Sequence, residues 1–77
     1  MGSDIRECLN RMRWHESYDF DQVRVWYLNR GSPGERTCIS GADIIDLESH
    51  FVLTEQGAIP YHRILSIRYA GRTIFPD

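Results

Sequence analysis

The chain contains no lysine: all nine of its basic residues are arginine. Long hydrophobic runs are also missing. No apolar stretch approaches the ~20 residues of a membrane-spanning helix, and the polar first residues lack the apolar centre of a signal peptide. No membrane contact and a cytoplasmic or nuclear location are therefore expected. Cysteine is scarce, with only Cys8 and Cys38. They form no CxxC pair, and together with His15, His50 and His62 they match no zinc-ligand spacing, so neither metal nor cofactor is expected. The two thiols read either as one disulfide or, in a reducing compartment, as two buried free cysteines. Repeats, low-complexity segments and linkers are absent, which makes residues 1–77 a single domain. A chain of this length has one small core and buries only about 60–65% of its unfolded surface. Met1-Gly2-Ser3 fits either a natural start or a cloning remnant, and the latter would make the chain a module excised from a larger protein.

An excess of positive charge is the next absence. Nine basic and eleven acidic residues leave a formal charge of −2. That excludes a generic nucleic-acid binder that works by neutralising many phosphates. A site for one or two phosphates needs only local charge, and arginine's planar fork suits both phosphate and base stacking. A GC-rich coding bias explains an all-arginine set equally well. The content of 42% apolar and 26% charged residues is that of a folded globular domain.

Ser3 or Asp4 can cap a helix running to Met12 or Arg13. Ile5, Cys8, Leu9 and Met12 fall at i, i+3, i+4 and i+7, an apolar stripe for burial. Arg6, Asn10 and Arg13 share another face, either solvated or touching RNA. In the loop that follows, Trp14, Tyr18 and Phe20 read as lids over the core. Val23 to Asn29 alternates as a strand, with Val23, Val25 and Tyr27 on one face and Arg24, Trp26 and Leu28 on the other. Trp26 beside Arg24 is either an exposed stacking surface or part of a second packed face.

Arg30-Gly31-Ser32-Pro33-Gly34-Glu35-Arg36 is the main loop. Its Ser-Pro-Gly-Glu fits a type II turn in a hairpin connection. The same two glycines also allow backbone N–H groups to approach an anion between Arg30 and Arg36. Short strands are expected at Thr37–Ile39, His50–Thr54, Leu65–Tyr69 and Arg72–Phe75; Asp43–Leu47 fits helix or strand by pattern, and its β-branched pair followed by a tight turn favours strand. Ala70-Gly71 forms a two-residue hairpin turn, and Leu65, Ile67 and Tyr69 face inward. The predicted fold is α+β: one N-terminal helix packed on a curved, mostly antiparallel sheet of five or six short strands.

Ile59-Pro60-Tyr61-His62-Arg63-Ile64 carries the densest recognition chemistry. Pro60 suits the first position of a short helical turn, and Ile59 and Ile64 can pin that turn to the core. A corner fixed at both ends presents His62 and Arg63 in set positions, which anion recognition requires.

Four blocks in order carry a family resemblance: Leu9–Trp14, Val25–Gly34, Ile59–Ile64 and Ile67–Arg72. Through them the chain resembles the RNA cyclic group end recognition domain, a family of small archaeal proteins also found fused in larger eukaryotic ones. The resemblance implies a non-catalytic module that binds RNA 3′ ends bearing a 2′,3′-cyclic or related terminal phosphate. It also implies partnership with phosphoesterase or nucleotidyltransferase domains of RNA repair and processing. On this chain the resemblance points to Tyr27, Arg30, Tyr61, His62, Arg63 and Arg68 as RNA and phosphate contacts, and the loop reading above adds Gly31 and Arg36. Arg30 and Arg63 would grip the phosphate, His62 would add a donor, and Tyr61 or Tyr27 would stack on the terminal base. The acidic balance departs from the more basic, lysine-richer archaeal members.

Two other classes compete. A small cyclic phosphodiesterase would pair His62 with His15 or His50 as acid and base, but the chain has no H-x-[ST] pair. A protein-interaction module would use exposed strand edges, with Trp26 and Phe75 as anchors.

Overall fold

The computed structural model describes residues 2–28 and 36–75. Helix α1 spans Gly2–Trp14, with Asp4 in its first turn and Arg11 and Arg13 in its last, both favourable to the helix dipole. Its apolar stripe goes inward as the spacing requires: Ile5, Leu9 and Met12 are buried, and Cys8 packs against them half-buried.

Seven strands follow, one or two more than expected, in two antiparallel sheets instead of one. The first sheet has the order β2-β1-β6-β7, from β1 (Val23–Leu28), β2 (Arg36–Ser40), β6 (Ile64–Tyr69) and β7 (Arg72–Phe75). The second is a meander of β3 (Ile44–Leu47), β4 (Phe51–Thr54) and β5 (Gly57–Pro60). Strand β5 is the one that the sequence hides. Glycine and proline open and close it, residues tolerated at a sheet edge, and β5 is an edge strand paired only with β4.

The chain enters β1, β3 and β6 the same way. Each strand is preceded by a single 310 turn, at Phe20–Gln22, Gly41–Asp43 and Tyr61–Arg63. The next residue, Val23, Ile44 or Ile64, is β-branched and buried, and its N–H bonds back to the first carbonyl of the turn. Pro60 comes immediately before the third turn, at φ −59°, and not at its first position.

One core joins the layers. Helix α1 gives Ile5, Leu9 and Met12; the four-stranded sheet gives Val23, Val25, Ile39, Ile64 and Ile67; the meander gives Ile44, Leu47, Val52 and Ile59. Val23 and Val25 are buried and Tyr27 packs against the core, so the inner face of β1 is the predicted one. In β6 a bulge shifts the register between Trp26 and Tyr27, so Ile64 pairs with Tyr27. Ile64 therefore fills the inward place expected of Leu65, which is half-buried away from the core cluster. Tyr18 and Phe20 pack on the core as expected. Trp14 does not: it is 72% exposed, its indole N–H donates to Asn10 Oδ1 at 2.9 Å, and Arg13 lies 5.2 Å from its ring centroid.

The face of α1 carrying Arg6, Asn10 and Arg13 is occupied within the molecule. Arg6 donates to the Glu48 carbonyl at 3.2 Å, and Arg13 donates to the Ile45 carbonyl and pairs with Asp46 at 3.4 Å. The Leu47 N–H first, then Glu48 and Arg13, hold the Asp46 carboxyl below its ordinary pKa. Cys8 and Cys38 are not joined in a disulfide.

Two backbone positions generate predictions. A Cβ on Gly41 would lie far inside van der Waals contact with the Phe20 carbonyl oxygen, a backbone atom that cannot swing away. Gly41→Ala is expected to cost about 2–3 kcal/mol, read as a lowered urea midpoint. In the β6–β7 turn Ala70 has φ +51° and Gly71 φ +82°, positive at both central positions as a type I′ turn requires. Asparagine tolerates that region better than alanine. Ala70→Asn is expected to stabilise by about 0.5–1 kcal/mol, visible as a raised thermal midpoint.

Candidate functional site

The turn Tyr61–Arg63 is held from beneath. Tyr61 is 3% exposed, with its ring in the core. Its hydroxyl donates to the Glu48 carbonyl at 2.7 Å, and its backbone N–H donates to the His50 carbonyl at 3.3 Å. Burial pushes the Tyr61 hydroxyl pKa up, partly countered by Arg6. With Ile59 and Ile64 buried on either side, the corner is pinned at three points. Tyr61 is therefore an anchor, and its ring is not presented for stacking on a base.

Two residues further on, Arg63 is half-buried and lines a cavity of about 170 Å3. Tyr27 and Leu28 at the end of β1 form one wall, and Thr54, Gln56, Gly57, Ala58, Ile59 and Pro60 of the β4–β5 hairpin form the other. Among the described residues no carboxylate lines it, and Arg63 is the one charged residue that does. Arg63 makes no hydrogen bond or ion pair with any described residue. The Thr54 hydroxyl donates to the Gly57 carbonyl at 2.7 Å and accepts the Gln56 N–H at 3.1 Å, which locks the hairpin wall. At ~30 Å3 per water, the space equals about five or six waters. That suits a phosphate with part of a sugar, and falls below the ~300 Å3 where whole-ligand pockets begin.

The other expected contacts lie at graded distances from this cavity. Arg36, exposed, faces Leu28 across the β1–β2 ladder and so stands at the rim. His62 is exposed beside Arg63 and does not line the cavity. Arg68 pairs in register with Arg24, four residues from Leu28, or about 13 Å along the strand. Arg30 and Gly31 lie outside the described residues. His15, His50 and His62 are absent from the cavity lining; His15 instead accepts the Ser17 N–H through Nδ1 at 3.1 Å. Among the described residues no three potential ligands gather to hold a metal ion.

Sequence reasoning missed the hairpin wall, because Thr54, Gln56 and Ala58 carry no charge and belong to the unrecognised β5. The buried polar Thr54 two residues before Gln56-Gly57 was the available signal, a threonine placed to close a turn on its own backbone.

The description of the MJ1316 RNA cyclic group end recognition domain matches residues 3–76. The chain belongs to that family. Its relatives include a UPF0248 protein of Archaeoglobus fulgidus, 37% identical over 68 residues, covering 87% of this chain and 96% of the relative. A UPF0248 protein of Methanococcus vannielii is 38% identical over 64 residues, covering 83% and 77% of the two chains. UPF0248 protein MJ1316 of Methanocaldococcus jannaschii is 34% identical over 64 residues, covering 83% and 79%. No solved structure matches. The family is named as a recognition domain, and no helix among the described residues is long and apolar enough to cross a membrane.

The Tyr61 anchor can be tested directly. Glu48's carbonyl keeps its bond from Arg6 when the hydroxyl goes. Tyr61→Phe is therefore expected to cost only about 0.5–1.5 kcal/mol, whereas Tyr61→Ala should cost about 3–5 kcal/mol in urea unfolding. Equal losses in the two variants would show that the ring's burial does not hold the corner.

Proposed function

We propose that this domain is a non-catalytic module that binds processed RNA 3′ ends, with the terminal 2′,3′-cyclic or related phosphate seated against Arg63 in the cavity between β1 and the β4–β5 hairpin. The observation that carries the proposal is the half-buried Arg63 guanidinium, which among the described residues has no partner and shares its cavity with no carboxylate. A cation in that position has given up part of its hydration and gains most from a compact anion, through a charge-assisted fork.

Tyr27 supplies a ring and a hydroxyl from the opposite wall. Arg36 at the rim and exposed His62 beside Arg63 add donors to oxygens that protrude. Arg30 and Gly31 follow Leu28 by two and three residues in the chain and join the proposed site on that ground. Arg68 contacts the strand further from its end. The small cavity selects a terminal group by shape and leaves internal phosphates outside. The reading is one of binding: among the described residues the cavity is lined by groups that hold an anion, Arg63 foremost. Association with phosphoesterase or nucleotidyltransferase domains of RNA repair, in the cytoplasm or nucleus, belongs to the same reading.

The test is an amide-shift titration with two short RNAs that differ only in a 2′,3′-cyclic phosphate or a 3′-hydroxyl end. Shifts at Tyr27, Leu28, Gln56–Ala58 and Arg63 are expected with the cyclic end alone. Arg63→Ala should weaken that binding about 10- to 100-fold. The salt dependence should be shallow, a log–log slope of about −0.7 to −1.4 for one or two phosphates. Unchanged affinity in Arg63→Ala would remove the cavity from the mechanism, and silence with both RNAs would favour a protein-interaction role.

A further inference from the structure

The strands of the four-stranded sheet contain Arg24, Arg36, Arg68 and Arg72 and no carboxylate. The meander strands contain no basic residue and carry Asp46. A chain with net charge −2 thus concentrates positive charge on one sheet. Register places three of those arginines on its outer face: Arg24 opposite both Ser40 and Arg68, and Arg36 opposite Leu28.

Trp26 stands between them. It pairs with Cys38 on one side and Ser66 on the other, both small, so its ring has low neighbours across the sheet. It is half-buried but lies outside the core cluster, and its indole N–H has no partner among the described residues. Burial pushes the Cys38 thiol pKa up, which keeps that neighbour uncharged. Arg24 is held in place: its Nη1 donates to the Asp21 carbonyl at 2.8 Å, the Val23 carbonyl at 3.0 Å and the Ser40 hydroxyl at 3.2 Å. Its Nε and Nη2 have no partner among the described residues, so the fork is positioned and still open.

The geometry points to the outer face of this sheet as a track for single-stranded RNA, on which Trp26 stacks with a base upstream of the terminal phosphate and Arg24 and Arg68 hold the backbone beyond it. This inference rests on the cavity's role as the end site, and the row Arg24–Trp26–Leu28 leads to that cavity because Leu28 belongs to both. One flat aromatic on the outer face of a four-stranded sheet, flanked by arginine, matches the two features of a single strand: π-faces and regularly spaced phosphates. A protein partner would need a broad apolar patch to bury, and here Trp26 has one exposed apolar neighbour in its row, Leu28, with Arg24 on its other side and small Cys38 and Ser66 across the ladders.

Two ligands separate the track from the end site: cytidine 2′,3′-cyclic phosphate, which reaches only the cavity, and a hexanucleotide with the same cyclic end. Trp26→Leu should weaken the hexanucleotide about tenfold and leave the mononucleotide unchanged, and Trp26→Phe should retain most of the hexanucleotide affinity. In Trp14→Phe protein Trp26 is the sole tryptophan, and its emission should be quenched by the hexanucleotide and not by the mononucleotide. Unaltered hexanucleotide binding in Trp26→Leu, with unquenched emission, overturns the track even if Arg63→Ala weakens both ligands and so upholds the end site. The converse, loss in Trp26→Leu with Arg63→Ala silent, keeps the track and removes the cavity.

Discussion

The hydrogen bond from the Tyr61 hydroxyl to the Glu48 carbonyl ties three parts of the molecule at one point. Tyr61 begins the turn that leads back into the four-stranded sheet, Glu48 lies in the β3–β4 turn of the meander, and Arg6 of α1 donates to the same carbonyl. A single bond of this kind contributes only about 1 kcal/mol net. Its consequence is positional. With the tyrosine ring in the core, the next two side chains have no freedom to sink inward, and Arg63 is brought to the seam between the sheets. The most buried aromatic of the corner thus sets the position of its most useful cation.

Net charge is a poor guide to such a protein because charge is partitioned. Carboxylates gather in the first turn of α1, the loop before β1, and the β3 region, where Asp46 meets Arg13. Arginine gathers on the four-stranded sheet. An overall balance of −2 reflects both regions and describes neither. A local positive surface within an acidic chain restricts binding to ligands that fit it, because long-range attraction to nucleic acid in general is absent.

Much of the architecture was legible in the residues. The i, i+3, i+4, i+7 stripe of α1, the alternation of Val23 to Leu28, and the Ala70-Gly71 turn are local patterns, and local patterns survive folding. What was not legible depended on distant partners. Trp14 reads as a lid by residue type, yet it lies at the helix end, where Asn10 and Arg13 offer it contacts outside the core. Leu65 reads as inward by alternation, and a bulge opposite Tyr27 overrides that count. Strand β5 is short, bounded by glycine and proline, and exists through its pairing with β4. Of the candidate site, the sequence singles out Arg63 and Tyr27 by their chemistry, and both line one cavity. Tyr61 reads as a stacking ring because sequence does not reveal which of three adjacent side chains points inward.

The meander is a single uninterrupted excursion of the chain, leaving the four-stranded sheet after Ser40 and returning at Ile64. One cavity wall belongs to the excursion and the other to the sheet that it leaves. Such a division lets the two walls change separately. Lengthening or repacking the β4–β5 hairpin would resize the chamber, while the strands of the four-stranded sheet keep their register. The fold behaves like a vice with one fixed jaw and one interchangeable jaw, and sequence changes in the interchangeable jaw reshape the chamber without disturbing the sheet.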